Sequence, residues 1–353
     1  MYPGLAVVQA LRAADKENGS DPVEVVYVGG KGDIEASLAE RAGVRFVGIP
    51  AGGVHGLAPQ KAVQNVFKLI RGWWAAVRLG RRERPSALFA TGGYASVPVA
   101  LAAWLLRVPI LVYLPDVEPG LAVRFIARLA WRVAVTVEES RAHFRPKKVV
   151  VTGYPVRSTF HDVDRHAARE ALGLASADPV LLVMGGSRGA RSINRALGEV
   201  LEQVLDMTQV VHLSGRLDWA WASERRDALP EGLRQRYALF PYLHDMGSAL
   251  ASADLALCRA GASTLGELPF FGLPAILVPY PHAWRYQRVN AAWLSEQGAA
   301  VTLRDEQLKD ELLPMLRQLL ADEERLSRME NRARALARPE AATRLAEVLL
   351  RLA

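Results

Sequence analysis

The hydrophobic and polar positions of this chain alternate between short apolar runs and longer stretches of helical periodicity. Val23–Val28 is a β-branched run closed by Gly29 and Gly30. Ala87–Ala90 runs into Thr91, Gly92 and Gly93, and Ile110–Tyr113 stops at Pro115. Val133–Val137, Val149–Thr152, Val180–Met184, Val210–Leu213, Leu255–Leu257 and Ala275–Val278 continue the series. Most are followed by Gly, Pro or polar residues and then by a helical pattern. Repeated βα units predict parallel sheets with helices on both faces, a doubly wound α/β fold. The units are too many for one ordinary sheet. A break is expected at Thr152–Phe160, where Gly153 and Pro155 interrupt regular structure. The expected domains are therefore residues 1–156 and 157–338. A last helix within 339–353, about Ala341–Leu352, is expected to pack back on the first domain. Ligands of doubly wound sheets bind at the carboxyl ends of the strands, so two such domains predict a site in the cleft they face.

The longest apolar stretch, near residues 95–114, is broken by Arg107 and Pro109. It predicts a buried helix followed by a buried strand, not a membrane span. Length and composition agree with two domains: 353 residues, half of them hydrophobic, supply two cores. The net charge of +7 favours anionic partners such as nucleic acid, phosphorylated ligands or anionic lipid. The single cysteine, Cys258, rules out an intrachain disulfide and fits a reducing compartment. Residues 1–20 lack a basic stretch followed by an apolar one, so a cytoplasmic location is expected.

Four segments carry candidate chemistry. In VLLVMGGSRGARSIN, a buried strand runs through Gly185, Gly186, Ser187, Arg188, Gly189 and Ala190 into a helix. Glycines let the backbone approach a ligand, and the helix N-terminus offers free N–H groups to phosphate. An ordinary tight turn has the same composition, and the Gly-Lys-Ser/Thr of a P-loop is absent. In CRAGASTLGELPFFGLP, small residues could line a nucleotide pocket, with Glu267 accepting hydrogen bonds from ribose hydroxyls. The competing reading is a capping box between Thr264 and Glu267. In VPYPHAWRYQRVN, Gln287 and Asn290 fall at i, i+3, on one helical face, and amides suit sugar hydroxyls. A solvated helix start is the alternative, and His282 is expected to be structural. In KAVQNVFKLIRGWWAAVRLGRRERP, Phe67, Ile70, Trp73, Trp74 and Val77 fall at helical spacing among seven Lys/Arg and one acidic residue. Aromatics flanked by Arg78 and its neighbours suit an anionic membrane surface, against the alternative of a core-facing helix. Nucleic acid is not expected, because no binding module is present.

Together these segments resemble the MurG family, within the two-lobed GT-B fold. The resemblance rests on YPGLAVVQAL, TGGYASVPVALAAWLL, EPGLAVRFIARLA, TGYPVR, GGSRGA, CRAGAST with the following Gly-Glu, GLPAILVPYPHA and the Gln287–Asn290 pair, in family order from residue 2 to about 300. It implies inverting transfer of N-acetylglucosamine (GlcNAc) from UDP-GlcNAc to the C4 hydroxyl of the muramoyl sugar of undecaprenyl-linked lipid I, giving lipid II for peptidoglycan. It implies an enzyme without cofactor or obligatory metal, peripheral on the cytoplasmic face of the membrane. By resemblance, Ser187, Gly186 and Gly189 hold the donor diphosphate, with Arg157 nearby. Leu243 contacts uracil through its backbone. Ala262, Ser263, Thr264, Leu265 and Glu267 line the nucleoside, and Gln287 and Asn290 read the GlcNAc hydroxyls. Thr91, Gly92, Gly93 and Tyr94 match the acceptor-side loop.

Three departures qualify the resemblance. The family has a strand and a GGTGGH loop before the YPGL segment, and that loop carries the histidine usually proposed as the base. Here Met1 stands where the loop should have ended. The expectation is that the first strand of the N-terminal domain is missing, that the true start lies upstream, and that the chain as given is poorly stable and weakly active. The family's HEQNAVPG segment reads Tyr113 to Gly120 here, with Asp116 in place of an asparagine, which makes Asp116 the candidate base. Trp284, Arg285 and Tyr286 replace acidic residues expected before Gln287. The alternatives are another GT-B transferase acting on a lipid acceptor, or a non-catalytic UDP-sugar-binding homologue.

Overall fold

The computed structural model describes every residue except 20–21, 31–32, 53–58, 176, 187–188 and 283–284. The chain forms two compact units, Met1–Arg157 with Pro339–Ala353, and Ser158–Arg338.

In the first unit the strands are β1 (Val26–Gly30), β2 (Arg45–Ile49), β3 (Leu88–Ala90), β4 (Ile110–Leu114), β5 (Arg132–Val135) and β6 (Val149–Val151). They form two parallel sheets, β1-β2 and β3-β4-β5-β6. Among the described residues β1 pairs only with β2 and β3 only with β4. Both strands are mostly half-buried, whereas every residue of β4 is buried. The Tyr2–Asn18 helix spans the two sheets. Val7 and Leu11 pack with Leu111, Tyr113 and Ala134 of the larger sheet, and Val8 packs with Ala39 and Val44 beside Tyr27 and Phe46 of the smaller one. Pro3 suits the first turn of this helix, and Gly19 ends it in the left-handed conformation at φ 62°. The Asp15 carboxylate then accepts the Val23 N–H at 2.8 Å and directs the chain into β1. The Ala341–Leu350 helix lies against the Tyr2–Asn18 helix through Leu345 and Ala346. The apolar stretch near 95–114 folds as the Ser96–Leu105 helix and β4.

The second unit holds β7 (Val180–Met184), β8 (Gln209–Leu213), β9 (Tyr237–Phe240), β10 (Leu255–Cys258), β11 (Ala275–Leu277) and β12 (Ala300–Thr302). They form one parallel sheet in the order β12-β11-β10-β7-β8-β9. Leu181, Val183, Val210, Leu255, Leu257 and Ile276 sit in one core with the Arg191–Glu199 and Leu308–Leu320 helices. Leu308, Leu312, Leu316 and Leu319 form the buried stripe of the latter, each burial contributing about 1.5–3 kcal/mol.

Three strands escape the sequence pattern. β2 carries Arg45 and Gly48 within its five residues. β9 and β12 lie at the two edges of their sheet and are only partly buried, so neither needs an uninterrupted apolar run.

Candidate active site

The strand order of the second unit reverses between β7 and β10: β8 and β9 lie on one side of β7, and β10 to β12 on the other. Such a switch point opens a crevice at the carboxyl ends of the strands. Met184 is in register with Cys258, and Cys258 with Leu277. Gly185, Arg259 and Val278 therefore leave the sheet side by side, and the three donor-side segments of the sequence share one edge.

The glycine turn is tightly built. The Gly189 N–H donates to the Gly186 carbonyl at 2.7 Å, and Gly189 has φ +80°. A Cβ on Gly185 would lie 2.4 Å from the Gly189 carbonyl carbon, so the turn has no room for a side chain there. The Arg191–Glu199 helix starts at Ala190 without a side-chain cap, which leaves its first N–H groups for a ligand. Ser187 and Arg188 lie outside the described residues.

The segment after β10 corrects the capping-box alternative. Ser263, not Thr264, precedes the Thr264–Phe271 helix, and the Thr264 hydroxyl donates to the Gly261 carbonyl at 2.6 Å. Glu267 thus falls one position past the place a capping box requires. It is buried at 8% exposure. Burial first, and the nearby Glu267 charge second, push the Cys258 thiol, at the end of β10, up to about 12. Ala262 and Ser263 are half-buried, and Leu265 is buried.

On the Tyr286–Glu296 helix the two amides part company. Gln287 is half-buried and its Oε1 accepts the Tyr280 N–H at 2.8 Å. Asn290 is fully buried, and its Nδ2 donates to the Ala260 carbonyl at 3.2 Å. The two amides thus make different contacts: Gln287 holds the segment after β11, and Asn290 holds the loop after β10. The His282 ring packs edge-on against Tyr280 at 5.4 Å, a structural contact. Leu243 lies half-buried in the segment after β9, beside Tyr242 and His244.

In the first unit Thr91, Gly92, Gly93 and Tyr94 follow β3. Gly92 and Gly93 have φ +86° and +85°, a conformation few other residues adopt, and Tyr94 is exposed. Asp116 follows the neighbouring strand β4 and is half-buried. Its loop is held by Thr136 Oγ1 on the Pro115 carbonyl at 3.0 Å and Ser140 Oγ on the Val117 carbonyl at 2.7 Å. Burial pushes the Tyr113 phenol well above its ordinary value, and the Asp116 charge adds to this. Arg157 stacks on the Tyr2 ring, 4.1 Å from its centroid.

The Pro59–Glu83 helix exposes Phe67 at 63%, Ile70 at 48% and Trp74 at 61%, and Arg78 is exposed too. Trp73 differs: it packs against the buried Ala76, Val77 and Ala102. Among the described residues no helix is long and apolar enough to cross a membrane.

The sequence matches the glycosyltransferase family 28 N-terminal domain over residues 1–135 and the family 28 C-terminal domain over residues 180–345. It is 42% identical to the UDP-N-acetylglucosamine–N-acetylmuramyl-(pentapeptide) pyrophosphoryl-undecaprenol N-acetylglucosamine transferase of Roseiflexus sp. (strain RS-1), covering 99% of this chain and 91% of that one. The chain belongs to this family, the MurG glycosyltransferases. The transferase of the same description from Symbiobacterium thermophilum is 37% identical, with 100% of this chain and 93% of that one covered. The crystal structure of Acinetobacter baumannii MurG superposes with a TM-score of 0.74 at 25% identity, covering 99% of this chain and 95% of that one. The GT-B architecture read from the sequence is the architecture of the family.

One MurG-edge residue had no role in the sequence reading. Arg259, the first residue after β10, donates to Ser192 Oγ at 2.6 Å and to the Val278 carbonyl at 3.2 Å, and pairs with Asp305. Ser192 Oγ in turn donates to Asp305 at 2.7 Å. The guanidinium also lies over the Tyr280 ring at 5.2 Å. A single arginine so ties the helix after the glycine turn to the ends of β10 and β11 and to the segment after β12. Its position within CRAGAST, and that of Ser192 in GGSRGARSIN, gave no hint that the two meet, and Asp305 carries no motif of its own.

Proposed function

We propose that this MurG-family chain transfers GlcNAc from UDP-GlcNAc to the C4 hydroxyl of the muramoyl sugar of lipid I, yielding lipid II. The observation that carries the reading is the shared edge of β7, β10 and β11, from which a glycine turn, a small-residue loop leading to the helix of the buried Glu267, and the segment leading to the helix of Gln287 depart side by side. The names of the related transferases support the same substrates. In this reading the amides of residues 186 to 191 take the diphosphate, and Ser187 adds a hydroxyl. Glu267 accepts the ribose hydroxyls, Ala262 to Leu265 border the nucleoside, the Leu243 backbone meets uracil and Gln287 meets the sugar. The acceptor oxygen attacks C1 of GlcNAc in line while the bond from C1 to the diphosphate oxygen breaks. The electron pair leaves with UDP, whose charge the helix N-terminus and Arg157 stabilise. Asp116 takes the acceptor proton, and the loop of Thr91, Gly92, Gly93 and Tyr94 borders the acceptor.

The exposed Phe67, Ile70 and Trp74 stripe with its arginines supports peripheral attachment to an anionic membrane, which is where a polyprenyl-linked acceptor resides. The deciding experiment offers labelled UDP-GlcNAc and a lipid I analogue to the full chain, with UDP binding measured alongside. The expected product is the disaccharide lipid. Exclusive transfer from UDP-glucose to diacylglycerol would overturn the proposal.

A further inference from the structure

Behind the glycine turn lies a chain of buried polar side chains that the transfer reaction does not itself use. Asn194, the fourth residue of the Arg191–Glu199 helix, is 1% exposed. Its Nδ2 donates to the Ser214 carbonyl at 2.8 Å and to Asp218 Oδ2 at 2.9 Å. Both partners only accept, so the orientation of the amide is fixed. Its Oδ1 then faces His212 Nε2 at 3.0 Å, and that nitrogen must carry the proton. His212 Nδ1 is left to accept the Tyr237 hydroxyl at 2.6 Å. Burial holds the imidazole neutral, pushing His212 down to about 3, against a smaller opposing pull from Asp218. Asp218 is itself buried and also takes Arg191 Nε at 3.1 Å, from the first residue of the same helix.

The network meets the turn at one atom. The Ser214 carbonyl that Asn194 binds is also the oxygen against which Gly189 rests: a Cβ on Gly189 would lie 2.5 Å from it. The bare glycine and the Asn194 amide therefore set the spacing between the turn after β7 and the segment after β8. The tautomer of His212, two residues before Ser214, keeps the amide from rotating. A purely structural polar cluster would stabilise the unit without fixing that spacing.

We propose that Asn194 is a positioning residue for the donor diphosphate, holding Gly189 and the N–H groups at the start of the Arg191–Glu199 helix where phosphate oxygens meet them. This rests on the reading of that turn as the UDP site. The test measures UDP affinity by calorimetry and KM for UDP-GlcNAc on the full chain, for wild type, Asn194→Ala, Asn194→Asp and Leu319→Ala. Leu319 is fully buried in the core on the Leu308–Leu320 helix and serves as a destabilised control. Asn194→Ala is expected to weaken UDP by about tenfold, with KM for UDP-GlcNAc rising in step and KM for the lipid acceptor unchanged. Asn194→Asp is expected to be worse, because a second carboxylate would face Asp218 and the Ser214 carbonyl. Leu319→Ala should lower Tm and leave UDP affinity alone. If Asn194→Ala shows no folding transition, His212→Gln, which removes the lock on the amide, carries the same comparison. A folded Asn194→Ala variant binding UDP within about twofold of wild type overturns the inference, as does equal weakening by Leu319→Ala. A wild-type chain that fails to bind UDP strikes the transferase reading instead.

Discussion

The two units solve the same doubly wound plan with unequal continuity. The second closes all its strands into one sheet, and its central strands β7, β8 and β10 are wholly buried. The first splits its strands between two sheets, which the Tyr2–Asn18 helix spans from one side. The difference teaches where precision is available. A ligand edge built on neighbouring buried strands, cross-tied by Arg259 and Asn194, holds its loops in fixed register. The loops that follow β3 and β4 stand on a sheet whose β3 flank pairs with no further strand among the described residues.

The largest expected contrast is in stability. Leu181→Ala, in the core of the second unit, should cost about 2–5 kcal/mol in denaturant unfolding, whereas Val28→Ala in half-buried β1 should cost about 1 kcal/mol or less. Equal losses would erase the distinction between the units. Next comes Glu267→Ala, expected to lower kcat/KM for UDP-GlcNAc by roughly a hundredfold through loss of charge-assisted hydrogen bonds, with little effect on Tm. An activity within a few-fold of wild type, by radiolabel transfer, would return Glu267 to a structural role.

The third contrast is with pH. His212 is held neutral in the fold at a value of about 3, below its ordinary 6.5. The unfolded chain binds the proton first as pH falls, so stability is full above about 6.5 and declines below it by up to about 1.4 kcal/mol per pH unit. Thermal melts of the second unit from pH 7 to pH 5 should show this slope, and His212→Gln should remove it. The smallest effects concern the Pro59–Glu83 helix. Trp74→Ser should reduce sedimentation with anionic liposomes by a few-fold without moving Tm, and Trp73→Ser should lower Tm instead. Unchanged liposome binding by Trp74→Ser would leave the exposed stripe without a membrane role.

Much of this was legible in the residues. Buried central strands such as Val180–Met184 must be apolar on both faces, so they announce themselves, and the glycine turn that follows must be free of side chains. The edge strands β9 and β12 bury less and left no comparable mark. The cap of the Thr264–Phe271 helix was ambiguous because Ser263 and Thr264 are chemically equivalent there, and one residue of phase decides what Glu267 does. The separate partners of Gln287 and Asn290 left no mark, because spacing fixes a helical face but not what each side chain meets there. The links of Arg259 to Asp305 and of Asn194 to His212 join residues far apart in sequence, so no local pattern could reveal them.

The open flanks of β1 and β3 also govern how this chain behaves in a test tube. Along them, among the described residues, no further strand pairs with the amide and carbonyl groups. Deuterium uptake should begin there, and concentrated samples should cross-link chain to chain through added strands, so cloudiness on storage would grow from the first unit while the second stays folded.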